Sequence, residues 1–168
     1  GMDSEMTGIF NNDWRAPWLF KEGNPITSLT GNDDPLPCIF NTIKTQNPKL
    51  KTGAAYDWDW FINLSNSSIP GSLDYDFFCN GTTTEAYAAC DQKHVKKTIE
   101  SFDKGFDYFF LYLGHVDEAG HTTNFCSDGY IQHITDTVDL IEDVFNALKQ
   151  KKMFDDTNII ITTDHGAS

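Results

Sequence analysis

The chain is expected to fold as an α/β domain, with helices on both faces of a mostly parallel sheet. Two short continuous runs of apolar and β-branched residues, 107–113 and 157–163, read as strands buried on both faces. Between them Ile131, Ile134, Val138, Ile141, Val144, Phe145 and Leu148 recur at steps of three and four, which marks an amphipathic helix over 128–152. Strand, helix and strand in that order call for a right-handed crossover, and such crossovers build parallel sheets covered on both sides.

The remaining elements follow in chain order. Residues 1–34 are rich in Gly, Asn, Asp, Pro and Trp without periodicity and read as extended loop. Pro35 and Pro37 then introduce a helix, because proline is tolerated in a first turn; Ile39, Phe40 and Ile43 give it an apolar stripe before Asn47-Pro48 ends it. Thr52–Tyr56 is a short buried strand, and Asp57 is a candidate N-cap for a helix over 58–62. Residues 63–72 form a polar loop, and Leu73–Phe78 alternates in the manner of an edge strand. Helical spacing at Ala88, Val95 and Ile99 places a helix over 84–102 with a thin apolar face. No repeat, linker or second domain is visible, so residues 1–168 are read as one unit.

Composition excludes several function classes. With 39% apolar and 14% aromatic residues the chain has material for a core. No run approaches the roughly 20 apolar residues of a membrane span. Twenty-five acidic against 12 basic residues give a formal charge of −13, which argues against a nucleic-acid-binding surface and against anionic membranes. A phosphate substrate would be repelled as well, unless bound cations reversed the local sign. The four cysteines, Cys38, Cys79, Cys90 and Cys126, show no metal-binding spacing, although Cys79 and Cys90 flank a turn-rich segment that a disulfide could bridge. Sequons at Asn63, Asn66 and Asn80 cluster nearby and favour an extracellular or secretory-lumen setting.

The chemistry concentrates in the last third. Asp117 and His121 stand just beyond the first of the two apolar runs, in Gly114-His115-Val116-Asp117-Glu118-Ala119-Gly120-His121, and Asp164-His165-Gly166 stands just beyond the second. An open α/β sheet presents its ligands beyond the carboxyl ends of its strands. Aspartate oxygen with histidine nitrogen suits zinc or manganese, whereas calcium and magnesium prefer oxygen alone. Either pair by itself would be explained by a turn cap or an ordinary loop. Both pairs at matched positions point instead to two divalent metal ions, zinc first and manganese second.

These motifs carry a resemblance. The Asp-x-x-x-His segment, the long amphipathic helix and the apolar strand ending Asp-His-Gly resemble the alkaline phosphatase superfamily, and within it the type I phosphodiesterase/nucleotide pyrophosphatase branch. Upstream, the segment Thr7–Trp14 resembles that branch's His-Gly-Ile-x-x-Asn segment, with Thr7 in place of its His, and Pro37–Phe40 with Thr52–Trp58 resembles its next helix and strand. The resemblance implies an alkaline-phosphatase-like three-layer sandwich and hydrolysis of a small-molecule phosphodiester or phosphoanhydride. It implies that Asp117 and His121 hold one metal and Asp164 and His165 the other, with Asn12 donating its amide to a phosphoryl oxygen. His115 and Glu118 flank the ligands, as outer partners or as solvent-facing residues; His94 and His133 read as surface residues without a role.

The same resemblance places a metal-binding Asp and a nucleophilic Thr or Ser ahead of Asn12, and a last His ligand beyond Gly166. The chain is therefore expected to be an incomplete catalytic domain of low or no activity alone, with exposed sheet edges that favour self-association. Two other readings stay open: another branch of the superfamily, such as a sulfatase, phosphomutase or phosphoethanolamine transferase, and a non-catalytic remnant acting through protein contacts.

Overall fold

The computed structural model describes residues 38–58, 61 and 73–166, together with four two-residue strands between residues 20 and 35. These are β1 (Phe20–Lys21), β2 (Asn24–Pro25), β3 (Thr30–Gly31) and β4 (Asp34–Pro35), paired antiparallel as β1 with β2 and β3 with β4. The rest of the expected loop over 1–34, Asn12 included, lies outside the described residues, as does the polar loop over 63–72 with the sequons at Asn63 and Asn66.

Helix α1 (Ile39–Gln46) starts where the prolines end. Asn41 Oδ1 accepts both the backbone N–H of Cys38, at 3.1 Å, and its thiol, at 2.7 Å, which satisfies donors that the first turn would otherwise orphan. Strand β5 (Thr52–Tyr56) is buried throughout, as expected of the centre of a parallel sheet. It lies between β6 (Tyr75–Phe78) and β7 (Tyr108–Leu111), parallel to both, in the order β6-β5-β7. Aspartates pin the register at the strand starts: Asp74 Oδ2 accepts from Thr52 N at 2.8 Å and Asp107 Oδ2 from Lys51 N at 2.8 Å.

The alternating side chains of β5 divide the core into two layers. On one face Ala54 and Tyr56 pack with Cys38 and Phe40 of the α1 segment and with Phe61, joined by Phe78, Tyr108, Phe110 and Tyr112. The Phe61 ring centres this layer, 4.8 Å from Tyr112 and 5.3 Å from Phe110. On the other face lies α2 (Thr84–Ser101), whose His94 ring meets Phe77 edge-on at 5.7 Å. Gly53 belongs there too, because a Cβ would stand 2.7 Å from the Phe109 ring. A short 3-10 turn, Phe102–Lys104, leads into β7. Helices α3 (His115–Thr123) and α4 (Asp128–Gln150) follow β7 and pack on α2 and on each other. The fold is thus α/β, with a parallel sheet and helices on both faces.

Several expectations need correction. Residues 157–163 form no strand: they run to the second Asp/His motif without a ladder partner among the described residues, and Ile160 is 88% exposed. A strand exists only through its ladder, and the outer edge of β7 bonds no strand among the described residues. For the same reason β7 is half-buried rather than buried on both faces. Helix α4 starts where expected and ends two residues earlier, at Gln150, but Ile131, Ile134 and Val138 of its apolar stripe face solvent and only Thr137 and Leu148 are buried. The Asp57 carboxylate is buried and accepts from Gly114 N at 3.3 Å, across the sheet; residues 59 and 60, whose amides an Asp57 cap would bind, lie outside the described residues. His94, expected at the surface, is fully buried, and His133 is half-buried against His115 with ring centroids 4.5 Å apart. Cys79 and Cys90 are joined by a disulfide.

Candidate metal centre

The segment 115–123 is a helix rather than the glycine-rich loop its composition suggests, and this decides the first pair's geometry. Asp117 and His121 are four residues apart, one helical turn, and therefore share a face. His121 Nε2 lies 3.6 Å from Asp117 Oδ2. The second pair arrives on the extended segment after residue 157. His165 Nε2 lies 3.4 Å from Asp164 Oδ2 and 3.8 Å from Asp117 Oδ1, so one imidazole stands between aspartates from the two motifs. Asp117 thus links the two motifs, although no three of the four side chains bring ligand atoms within 4.8 Å of one another.

The cluster is open to solvent on one side and closed on the other: the His121 side chain is 64% exposed and that of Asp164 only 16%. Its local arrangement is held by short-range contacts, with His165 N donating to Asp164 Oδ1 at 3.1 Å and the Thr163 hydroxyl donating to the His165 carbonyl at 2.8 Å. The inner wall includes Tyr112. Burial, and then the negative charges of Asp164, Asp57 and Asp117, push its phenol well above the ordinary tyrosine range. Three carboxylates close enough to act on one buried phenol concentrate negative potential at this end of the sheet. The three imidazole–carboxylate separations, 3.4 to 3.8 Å, are longer than an ordinary N–H···O hydrogen bond.

His115 and Glu118 do not belong to this set. They line a cavity of about 810 Å³ with Thr83, Gln92, His133 and Asp136, between α2, α3 and α4. Burial, followed by the neighbouring His133, holds the His115 imidazole below the usual histidine range.

A second cluster, unanticipated from the sequence, lies beneath the first. Asp57, one residue past β5, meets Asp91 and His94 of α2, and ligand atoms of the three lie within 4.8 Å of one another. His94 Nδ1 is 3.8 Å from Asp57 Oδ2 and 4.0 Å from Asp91 Oδ1, with every side chain fully buried. Gly114 N donates to Asp57 Oδ2 at 3.3 Å and to Asp91 Oδ1 at 3.1 Å, and His115 N to Asp91 Oδ2 at 3.3 Å. The buried carboxylates therefore tie down the N-terminus of α3, whose first amides have no partner within the helix. Desolvation raises both acids above the usual carboxylate range, Asp91 further because Asp57 bears on it. Desolvation also lowers His94 to about 4, against the pull of the Tyr56 and Tyr112 carbonyls. The signal that could have located this cluster was present: Asp57 follows a strand just as Asp117 and Asp164 follow apolar runs, and Asp91 and His94 are three apart on one helix.

Fold and side-chain set define a class, an α/β domain that gathers carboxylates and imidazoles at one end of its sheet. The family model described as Type I phosphodiesterase / nucleotide pyrophosphatase matches residues 1–168. The chain belongs to that family. No curated protein and no solved structure matches it.

Proposed function

We propose that this chain carries the metal-binding part of a phosphoric-ester hydrolase acting on a small-molecule phosphodiester or phosphoanhydride. The observation that carries this reading is the chain of contacts that joins the two motifs: His121 to Asp117 at 3.6 Å, Asp117 to His165 at 3.8 Å, and His165 to Asp164 at 3.4 Å. Two carboxylates and two imidazoles fit divalent zinc, or manganese next, and the exposed side of the set leaves room for a ligand from solution. Two such cations would offset the charge on a phosphoryl group and on its leaving oxygen.

The chain's own residues supply position and selectivity. Asp117 holds its place because α3 is anchored at Gly114 and His115. His165 stands between the two aspartates, and its Nδ1 lies 3.1 Å from the Gly166 carbonyl. If that nitrogen carries the proton, Nε2 keeps a free lone pair toward Asp117 and Asp164, as a metal ligand requires. Asn12, outside the described residues, is the candidate donor to a phosphoryl oxygen. No Ser or Thr of the chain matches the family's nucleophile, so turnover by this chain alone is expected to be low or absent. The Cys79–Cys90 bridge and the exposed Asn80 sequon support an extracellular or luminal setting. Among the described residues no helix is long and apolar enough to cross a membrane.

The test is calorimetric titration of a nucleoside monophosphate, a product of the proposed reaction class, into zinc-loaded and chelated protein. The reading expects saturable binding only with zinc, weakened at least tenfold by Asp164→Ala. Equal binding to the chelated protein would contradict it.

A further inference from the structure

We infer that Asp57, Asp91 and His94 form a second, closed site for a single divalent transition-metal ion, independent of the exposed ligands Asp117, His121, Asp164 and His165. The first support is unmet bonding capacity. Asp57 Oδ1 is buried without a hydrogen-bond partner, and neither ring nitrogen of His94 has one of good geometry, although the Tyr56 and Tyr112 carbonyls lie beside the ring. Orphaned buried polar atoms of this kind are rare in folded proteins, and each costs free energy unless something satisfies it. Those carbonyls can take the one proton of a neutral imidazole, which leaves the lone pair of its other nitrogen unmet.

The second support is spacing. Ligands bound to one ion at about 2.0–2.2 Å lie roughly 3.4 Å apart at a tetrahedral angle and up to about 4.3 Å apart across the ion. The 3.8 and 4.0 Å separations from His94 Nδ1 to the two carboxylates fall inside that range and outside hydrogen-bond distance. The third is charge. Two fully buried carboxylates lie together against His94, and a divalent cation would neutralise the pair.

The carboxylates are also oriented from outside, as metal ligands commonly are: Gly114 and His115 donate backbone N–H groups to them. Gly114 leaves the space they need, because a Cβ there would stand 2.4 Å from Asp57 Oδ1. Two oxygens and one nitrogen without thiolate suit zinc or manganese. Lying where β5, α2 and the start of α3 meet, the ion would fasten the helix that carries Asp117 and His121.

The experiment uses zinc on the full chain. The variant Asp117→Ala/Asp164→Ala/His165→Ala is stripped with chelator, incubated with excess zinc and desalted, and bound metal is measured by mass spectrometry alongside circular dichroism. The inference expects close to one zinc retained per chain, falling at least tenfold when His94→Phe is added. Should His94→Phe fail to fold, Asp57→Asn is the second arm and is expected to lower retention likewise. A folded triple variant that retains no zinc, or retention unchanged by a folded His94→Phe or Asp57→Asn, overturns the site. Because the triple variant lacks three of the four exposed ligands, this outcome is separable from failure of the exposed centre.

Discussion

Gly114→Ala probes the junction on which the candidate centre rests. Gly114 has φ −88° and ψ −11°, a negative-φ conformation open to alanine, so the substitution meets no left-handed backbone strain. The cost arises from the added methyl, which would stand 2.4 Å from Asp57 Oδ1 and 3.0 Å from its Cγ. Asp57 has no room to retreat, since it is 1% exposed and confined by Asp91 and His94. Overpacking of this kind costs about 1–3 kcal/mol. Shifting the carboxyl group also loosens the N–H bonds from Gly114 and His115, and leaving a buried donor or acceptor unsatisfied costs about 1–3 kcal/mol. Partial loss of these bonds brings the expected total to about 2–4 kcal/mol. Urea denaturation followed by far-ultraviolet circular dichroism reads this as a lower midpoint at unchanged slope. The clash requires non-additivity with Asp57→Ala, so the double variant should cost less than the sum of the singles. A Gly114→Ala protein within about 0.5 kcal/mol of the wild type, the range of an ordinary surface substitution, would refute the packing argument.

Two further outcomes follow from the fold. Replacing both Cys79 and Cys90 by serine opens a loop of 11 residues' separation and should cost about 3 kcal/mol of unfolding free energy by the chain-entropy relation, checked by denaturation with and without reductant. Lys44 Nζ lies 2.6 Å from Asp74 Oδ2; burial opposes ionisation of Asp74, but the bonds from Lys44 and Thr52 outweigh it and hold the acid below its ordinary range. A depressed carboxylate stabilises the fold above its unfolded value, about 3.9, and loses that contribution as pH falls through the folded value. Lys44→Ala should therefore move the acid-unfolding midpoint upward while costing at most about 1 kcal/mol at neutral pH; an unchanged midpoint would count against the pair.

Periodicity carried most of the fold because the elements it located bury apolar faces. β5 and α4 are found within a residue or two of their expected ends, since a buried five-residue run and a stripe at steps of three and four have few competing readings. The thin face of α2 was thin for a reason that pattern reading does not reach: the helix buries Asp91, His94, Thr98 and Ser101 alongside Cys90 and Val95. A buried polar face looks like a solvated one in sequence, which is why His94 was assigned to the surface. Residues 157–163 read as a strand from β-branched composition alone, but pairing depends on a neighbour, and none bonds it among the described residues. The four candidate ligands are legible as candidates because Asp and His recur together just beyond two apolar runs. The helical register that aligns Asp117 with His121 was not, because Gly114, Ala119 and Gly120 give 115–123 little apolar periodicity.

The central claim is that Asp117, His121, Asp164 and His165 act as one metal-binding set. Zinc titration by calorimetry, on the wild type and on Asp117→Ala/His165→Ala, tests it most directly. The account predicts saturable binding whose stoichiometry falls in the double variant, with the buried Asp57/Asp91/His94 equivalent retained. Identical isotherms from two folded proteins would contradict it.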